Sequence, residues 1–243
     1  MDDGLDALVR RVDEDRWLAA RFANGETRRN LIALYALNYE IAHAAEAAGQ
    51  SGLAAIRLSW WREAIAEMKQ GGPPRGHPTL QALAPLIDGI DTQLVEALIE
   101  ARLSDAEPQP FADWAALEAY VDATAGNLMR LALALCGMEA GPYARDAALA
   151  WGYSGLLRAR PAWRARGRSA PPPGATDADF LQRAWSAHAA ARASTKAAPE
   201  RAFPAIGYVA LAPFYLRRLD RAGPAPLFSR QWRLLRAAAS GRL

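Results

Sequence analysis

Two lysines, three histidines and a single cysteine are all that this 243-residue chain holds of those residue types. With Cys136 alone, no internal disulfide can form, which fits a reducing compartment. In the apolar stretch 131–138 that thiol reads as inert packing rather than a nucleophile. His43, His77 and His188 are too far apart to form a spaced ligand set, so no histidine metal site is expected. Apolar runs are short: Arg, Asp or Glu interrupts every one before the roughly 18 residues that a bilayer span requires. The acidic opening Met1-Asp2-Asp3-Gly4-Leu5-Asp6 has neither the basic start of a secretory signal nor the Arg-rich character of a transit peptide. These absences predict a cytoplasmic protein, soluble or peripheral at a membrane. Lysine is scarce beside arginine, with only Lys69 and Lys196, and that reads as GC-rich coding in a bacterium.

Strand formers are few as well, whereas Ala and Leu, both favoured in helix interiors, are abundant. The expected fold class is all-α, with 51% hydrophobic residues forming one helical domain over 1–243. Apolar spacing predicts a first helix from Gly4 to Phe22, a second from Arg28 to Ala48 capped by Thr27 and stopped by Gly49, and a third from a Ser51 cap to Met68. Further helices are expected at 79–87, 91–104 and 113–136, and from Pro142 to Ala159, where Pro161 ends or kinks the run. Beyond a Pro-rich loop at 168–177, Thr176 or Asp177 starts a helix over 178–197, and two more close the chain.

Charge is unevenly spread. Basic residues number 9 against 11 acidic in 1–70, 4 against 11 in 71–150, and 16 against 4 in 151–243. The basic third is the surface expected to meet an anionic membrane, a diphosphate or an acidic partner. Its densest cluster is Arg158, Arg160, Arg164, Arg166 and Arg168 beside Trp163. No nucleic-acid motif or regular aromatic platform accompanies it, so nucleic acid is not an expected partner.

Acidic pairs four residues apart recur at Asp2/Asp6, Glu63/Glu67 and Glu96/Glu100, and each reads as a solvated helix face. More telling are residues 31–46, Leu-Ile-Ala-Leu-Tyr-Ala-Leu-Asn-Tyr-Glu-Ile-Ala-His-Ala-Ala-Glu, followed by Ile-Arg-Leu-Ser-Trp-Trp-Arg-Glu-Ala at 56–64. Downstream lie Tyr120-Val-Asp-Ala-Thr-Ala-Gly126, Gly155-Leu-Leu-Arg-Ala-Arg-Pro-Ala-Trp163, Phe203-Pro-Ala and Tyr215-Leu-Arg-Arg218. Together these segments resemble the squalene/phytoene synthase family of helical prenyltransferases, over about residues 15–236. The Asn-x-Glu-Ile-Ala form of the first segment is most similar to the branch that contains a mitochondrial complex I assembly factor and its bacterial relatives.

The resemblance implies a terpenoid synthase bundle in which two Asp-x-x-x-Asp pairs hold magnesium and a diphosphate. Here the first pair reads Ala42 and Glu46, and the second Ala159 and Trp163. Mg²⁺ requires oxygen ligands, normally carboxylates with substrate phosphates, and one Glu does not replace four acids. Glu40 is no substitute, because it points roughly 200° around the helix from Ala42. By the resemblance, Tyr35, Glu46, Arg57, Arg62, Asn127 and Arg158 are the candidate pocket or diphosphate-binding residues, and no metal or cofactor is expected.

Two functions follow. One is a non-catalytic assembly factor for a membrane respiratory complex of the complex I type, peripheral at the inner membrane, with an isoprenoid or other lipid as a candidate ligand. The alternative is a surviving prenyltransferase that acts on isoprenyl diphosphates with Mg²⁺, in which Glu46, Arg57, Arg62 and Arg158 handle the diphosphate.

Overall fold

Short polar side chains set the helix starts. Asn24 accepts from the Thr27 amide at 2.9 Å, Asp91 from Gln93 at 2.9 Å and Asp113 from Ala116 at 2.8 Å. Thr176 and Asp179 form a reciprocal capping box. The cap that sequence spacing places at Thr27 is thus Asn24, one turn earlier. The computed structural model describes residues 3–46, 51–106, 109–165, 167, 169, 171–221 and 225–241, and among these every regular element is helical. In order they are α1 (Asp3–Val12), α2 (Glu14–Ala20), α3 (Gly25–Glu46), α4 (Ser51–Lys69), α5 (Pro78–Leu83), α6 (Thr92–Leu103) and α7 (Trp114–Val121). Then follow α8 (Asn127–Leu135), α9 (Pro142–Ala165), α10 (Asp177–Ser194), α11 (Phe203–Ile206), α12 (Ala212–Leu216) and α13 (Leu227–Ser240). The expected end of the second helix at Ala48 and Gly49 lies outside the described residues.

Three helices differ from expectation, each for a local reason. The predicted helix Gly4–Phe22 is two helices, because Asp13 leaves helical geometry at φ −145°. The break lets α2 turn so that Asp15 through Ala20 are all buried. A stop at Pro161 does not occur, and α9 continues to Ala165. Proline removes one backbone hydrogen bond there, and ion pairs from Arg160 (2.8 Å) and Arg164 to Asp177, together with the packing of Trp163, hold the last turn. The predicted helix 113–136 contains a π-helical turn, Asp122–Gly126, where α7 passes into α8. Arg130 donates to Asp122 at 2.7 Å across that turn, and a Cβ on Gly126 would lie 2.6 Å from the Asp122 carboxylate. Any larger residue there would make the Asp122–Arg130 ion pair shift.

Apolar side chains gather in two clusters. The larger draws on α1 to α6, α8, the first half of α9 and the C-terminal helices, with Tyr35, Tyr208, Leu31, Leu34 and Ile41 fully buried. The smaller collects Phe111, Tyr120, Tyr153, Leu157 and Phe180 around the second half of α9. Helix α9 therefore enters both, and α7 reaches it closely: a Cβ on Gly152 would stand 2.3 Å from Val121.

Candidate functional site

The charged residues that the fold buries lie beside the face of α9 that carries Trp151, Gly155 and Arg158, residues at i, i+4 and i+7. Asp15, only 5% exposed, stands on α2 at the centre of this group. The Tyr215 hydroxyl on α12 donates to one carboxylate oxygen at 2.6 Å, and Arg230 on α13 donates to the other at 2.9 Å. Arg230 also donates to Glu14. Arg158 lies 3.8 Å from the Asp15 carboxylate, with its guanidinium 3.8 Å above the centre of the Tyr215 ring. Burial, followed by the neighbouring Asp15 charge, pushes the Tyr215 hydroxyl well up, so it stays protonated as a donor. The arrangement is a charge cluster in which two arginines, Arg158 and Arg230, are balanced by the chain's own Asp15 and Glu14.

A second arginine is caged next to it. Arg16 is buried, bonded to Asp13 at 2.6 Å, and surrounded by the rings of Tyr208 (4.8 Å), Trp151 (5.7 Å) and Tyr35 (5.9 Å). Burial alone would weaken its charge, but Asp13 and Tyr208 more than offset that, and the guanidinium stays firmly protonated. Burial raises the Tyr35 and Tyr208 hydroxyls.

The residues expected from the sequence do not all converge here. Tyr35 faces Arg16 in the core. Arg158 is in the charge cluster, its side chain 40% exposed. Asn127 is buried and accepts from Arg130 at 2.8 Å, an interaction within its own helix. Arg62 is instead clamped by α6, at 3.2 Å from Glu96 and 2.8 Å from Glu100, and Arg57 stands exposed on α4. Ala42 and Ala159 are half-buried. Trp163 stacks 6.0 Å from Phe111 and meets Tyr120 edge-on at 6.2 Å. Glu46 closes α3, and its side chain lies outside the described residues. Of the acidic pairs, Glu96/Glu100 binds Arg62 and Glu63/Glu67 binds Arg75, so both are ion-paired helix faces. Asp15, Arg16, Tyr215 and Arg230 are absent from the sequence-derived set, although an acid at the start of the buried stretch 15–20 is the kind of signal that could have found the first of them.

A model of the family described as squalene/phytoene synthase matches residues 9–172, well over half the chain. The chain belongs to that family. Its curated relatives include NADH dehydrogenase (ubiquinone) complex I, assembly factor 6, of Mus musculus, 24% identical over 240 residues covering 88% of this chain and 72% of that protein. The Homo sapiens protein of the same name is 22% identical with the same coverage. Among solved structures, a dehydrosqualene synthase in complex with ligand superposes with a TM-score of 0.78 at 14% identity, covering 98% of this chain and 95% of that one. Squalene synthase HpnC from Alicyclobacillus acidocaldarius gives 0.68 at 19% identity, over 98% and 93%. This member of the squalene/phytoene synthase family thus has the all-α terpenoid synthase fold. Among its described residues no helix is long and apolar enough to cross a membrane.

Proposed function

We propose that the chain is a non-catalytic member of its family, one helical domain over 1–243 that assists the assembly of a membrane respiratory complex of the complex I type. The observation that carries this reading is Asp15. A prenyl diphosphate approaching Arg158 and Arg230 would meet a buried carboxylate already paired with them, and like charges at that distance repel. Magnesium fits poorly: Ala42, Ala159 and Trp163 offer hydrocarbon where a hard cation needs oxygen, and no three His, Cys, Asp or Glu side chains gather for a metal among the described residues. Packing and function rest on different residues, so a fold can persist after its chemistry is gone. The similarity to complex I assembly factor 6 supports the choice of partner.

The prenyltransferase alternative draws on one observation: a Cβ on Gly155 would meet nothing within 4 Å, so there is room beside Arg158. Incubation with farnesyl and geranylgeranyl diphosphate plus Mg²⁺ separates the two. The proposed reading expects no pyrophosphate release above a protein-free blank, and clear turnover would overturn it. Deletion of the gene is expected to lower membrane NADH oxidation through a complex I type enzyme; unchanged activity would remove the assembly role.

A further inference from the structure

Helix α13 has two apolar faces, and only one is used. Arg230, Leu234 and Ala237 form the buried face, which packs towards α2 and the turn Gly207–Leu211. On the opposite side Phe228, Trp232 and Leu235, at i, i+4 and i+7, are 77%, 60% and 54% exposed. Arg236 borders this stripe, Arg233 stands further round the same side of the helix, and both are exposed. Arg233 also leans over the Phe214 ring at 4.5 Å. From Arg221 to the end of the sequence there are five arginines and no acid. Burying a helix on one side while exposing Phe, Trp and Leu on the other leaves an apolar stripe of this basic region in water, which marks an interaction surface.

We infer that the outer face of α13 lies flat on an anionic lipid surface, its aromatic stripe at the headgroup boundary and its arginines against lipid phosphates. Trp and Phe beside Arg are the side chains that favour such an interface, and phospholipid headgroups of negative charge complement this end of the chain. A second copy is the poorer occupant. A 14-residue helix is about 21 Å long, and its face of about 200 Å² falls well short of the roughly 800 Å² per partner that stable association uses. A two-fold contact there would also bring Arg236 towards its own copy. Another exposed apolar stripe, Leu53, Ile56 and Trp60 on α4, has a different setting. Its face continues into Glu63 and Glu67, and Arg75 pairs with both while lying 5.3 Å over Trp60, so the chain's own side chains already engage that stripe.

The surface is independent of the assembly role, because it depends on the outer side of one helix and not on the fate of the diphosphate site. Co-sedimentation of the full chain with phosphatidylcholine vesicles, with and without phosphatidylglycerol, tests it. The full chain is expected to bind the mixed vesicles, weakly or not at all the neutral ones, and less as salt rises. Phe228→Ser with Trp232→Ser should weaken binding at least about tenfold, and Arg233→Gln with Arg236→Gln about tenfold or more, mainly at low salt. All four positions are exposed, and unchanged circular dichroism of each variant secures the comparison. Absence of binding to phosphatidylglycerol vesicles, or binding by both double variants as tight as that of the parent chain, would overturn the inference. So would lipid-free self-association that the Trp232 substitution abolishes, because it would show that α13 meets another protein chain.

Discussion

Two arginines approach the same tryptophan and differ in almost everything else. Arg16 and Arg158 lie 5.7 and 5.9 Å from the Trp151 ring, each beside an aspartate, with two tyrosine rings near Arg16 and one near Arg158. Arg16 is closed off from water and takes its aspartate, Asp13, from its own neighbourhood in sequence. Arg158 is 40% exposed, and its aspartate comes from the far end of the chain. The first is therefore a structural cation, costly to remove. The second stands where a dissolved anion could compete, and Asp15 keeps that place for the protein.

The sharpest way to break the comparison is to remove each cation. Arg16→Met strips a buried guanidinium from Asp13 and three rings, and urea unfolding should report a loss of about 3–5 kcal/mol. Arg158→Met removes a partly hydrated charge 3.8 Å from its partner, and the same measurement should give less than about 1 kcal/mol. Equal losses would erase the distinction between a structural and an exchangeable cation.

Next in size is Asp15→Asn. The amide can still accept from Tyr215, but Arg230 keeps only Glu14 as a charged partner, so the expected loss is about 2 kcal/mol. In exchange Arg158 and Arg230 lose the carboxylate they share. Isothermal titration with inorganic pyrophosphate should show binding by the variant at least about tenfold tighter than by the parent chain. If both bind pyrophosphate equally, Asp15 is not what occupies the site.

Trp163→Ala tests the other end of α9. The ring is only half-buried among Phe111 and Tyr120, so the cost should be about 1–2 kcal/mol in thermal or chemical unfolding, well below the cost at Arg16. A loss as large as that of Arg16→Met would mean that the end of α9 beyond Pro161 depends on this one residue.

The ease with which these regions can be read from sequence follows the distance between partners. Helices α3, α4 and α10 were legible because their apolar periodicity is local, and Thr176 with Asp179 is a three-residue signal. A glycine in mid-helix is a local signal of a close approach, and at Gly126 the neighbour is its own helix's Asp122–Arg130 pair. The bend at Asp13 was hidden because the apolar pattern runs through it unbroken. Most of the charge cluster was hidden too. Asp15 meets Tyr215 and Arg230 across 200 and 215 residues, a pairing that no spacing rule can reach. Arg62 was misleading for the same reason: its partners Glu96 and Glu100 lie on another helix, and only the fold shows them closing on it.

The smallest expected effect involves Cys136, and it extends the contrast between closed and open groups to a neutral one. Burial pushes its thiol up from 9.0 to about 11, at the end of α8 against the larger apolar cluster. The thiolate is the reactive form, so near pH 8 only about one molecule in a thousand presents it, and iodoacetamide should label the folded chain far more slowly than the chain in urea. The sign of the linkage follows from the same shift. Below pH 9.0 both states keep the proton and stability is complete; as pH rises towards about 11 the unfolded chain ionises first, and stability falls. Cys136→Ala should flatten that part of the pH–stability curve without moving its neutral plateau by more than about 1 kcal/mol. A folded protein labelled at neutral pH as fast as free cysteine would place this thiol among the open groups, on the side of Arg158.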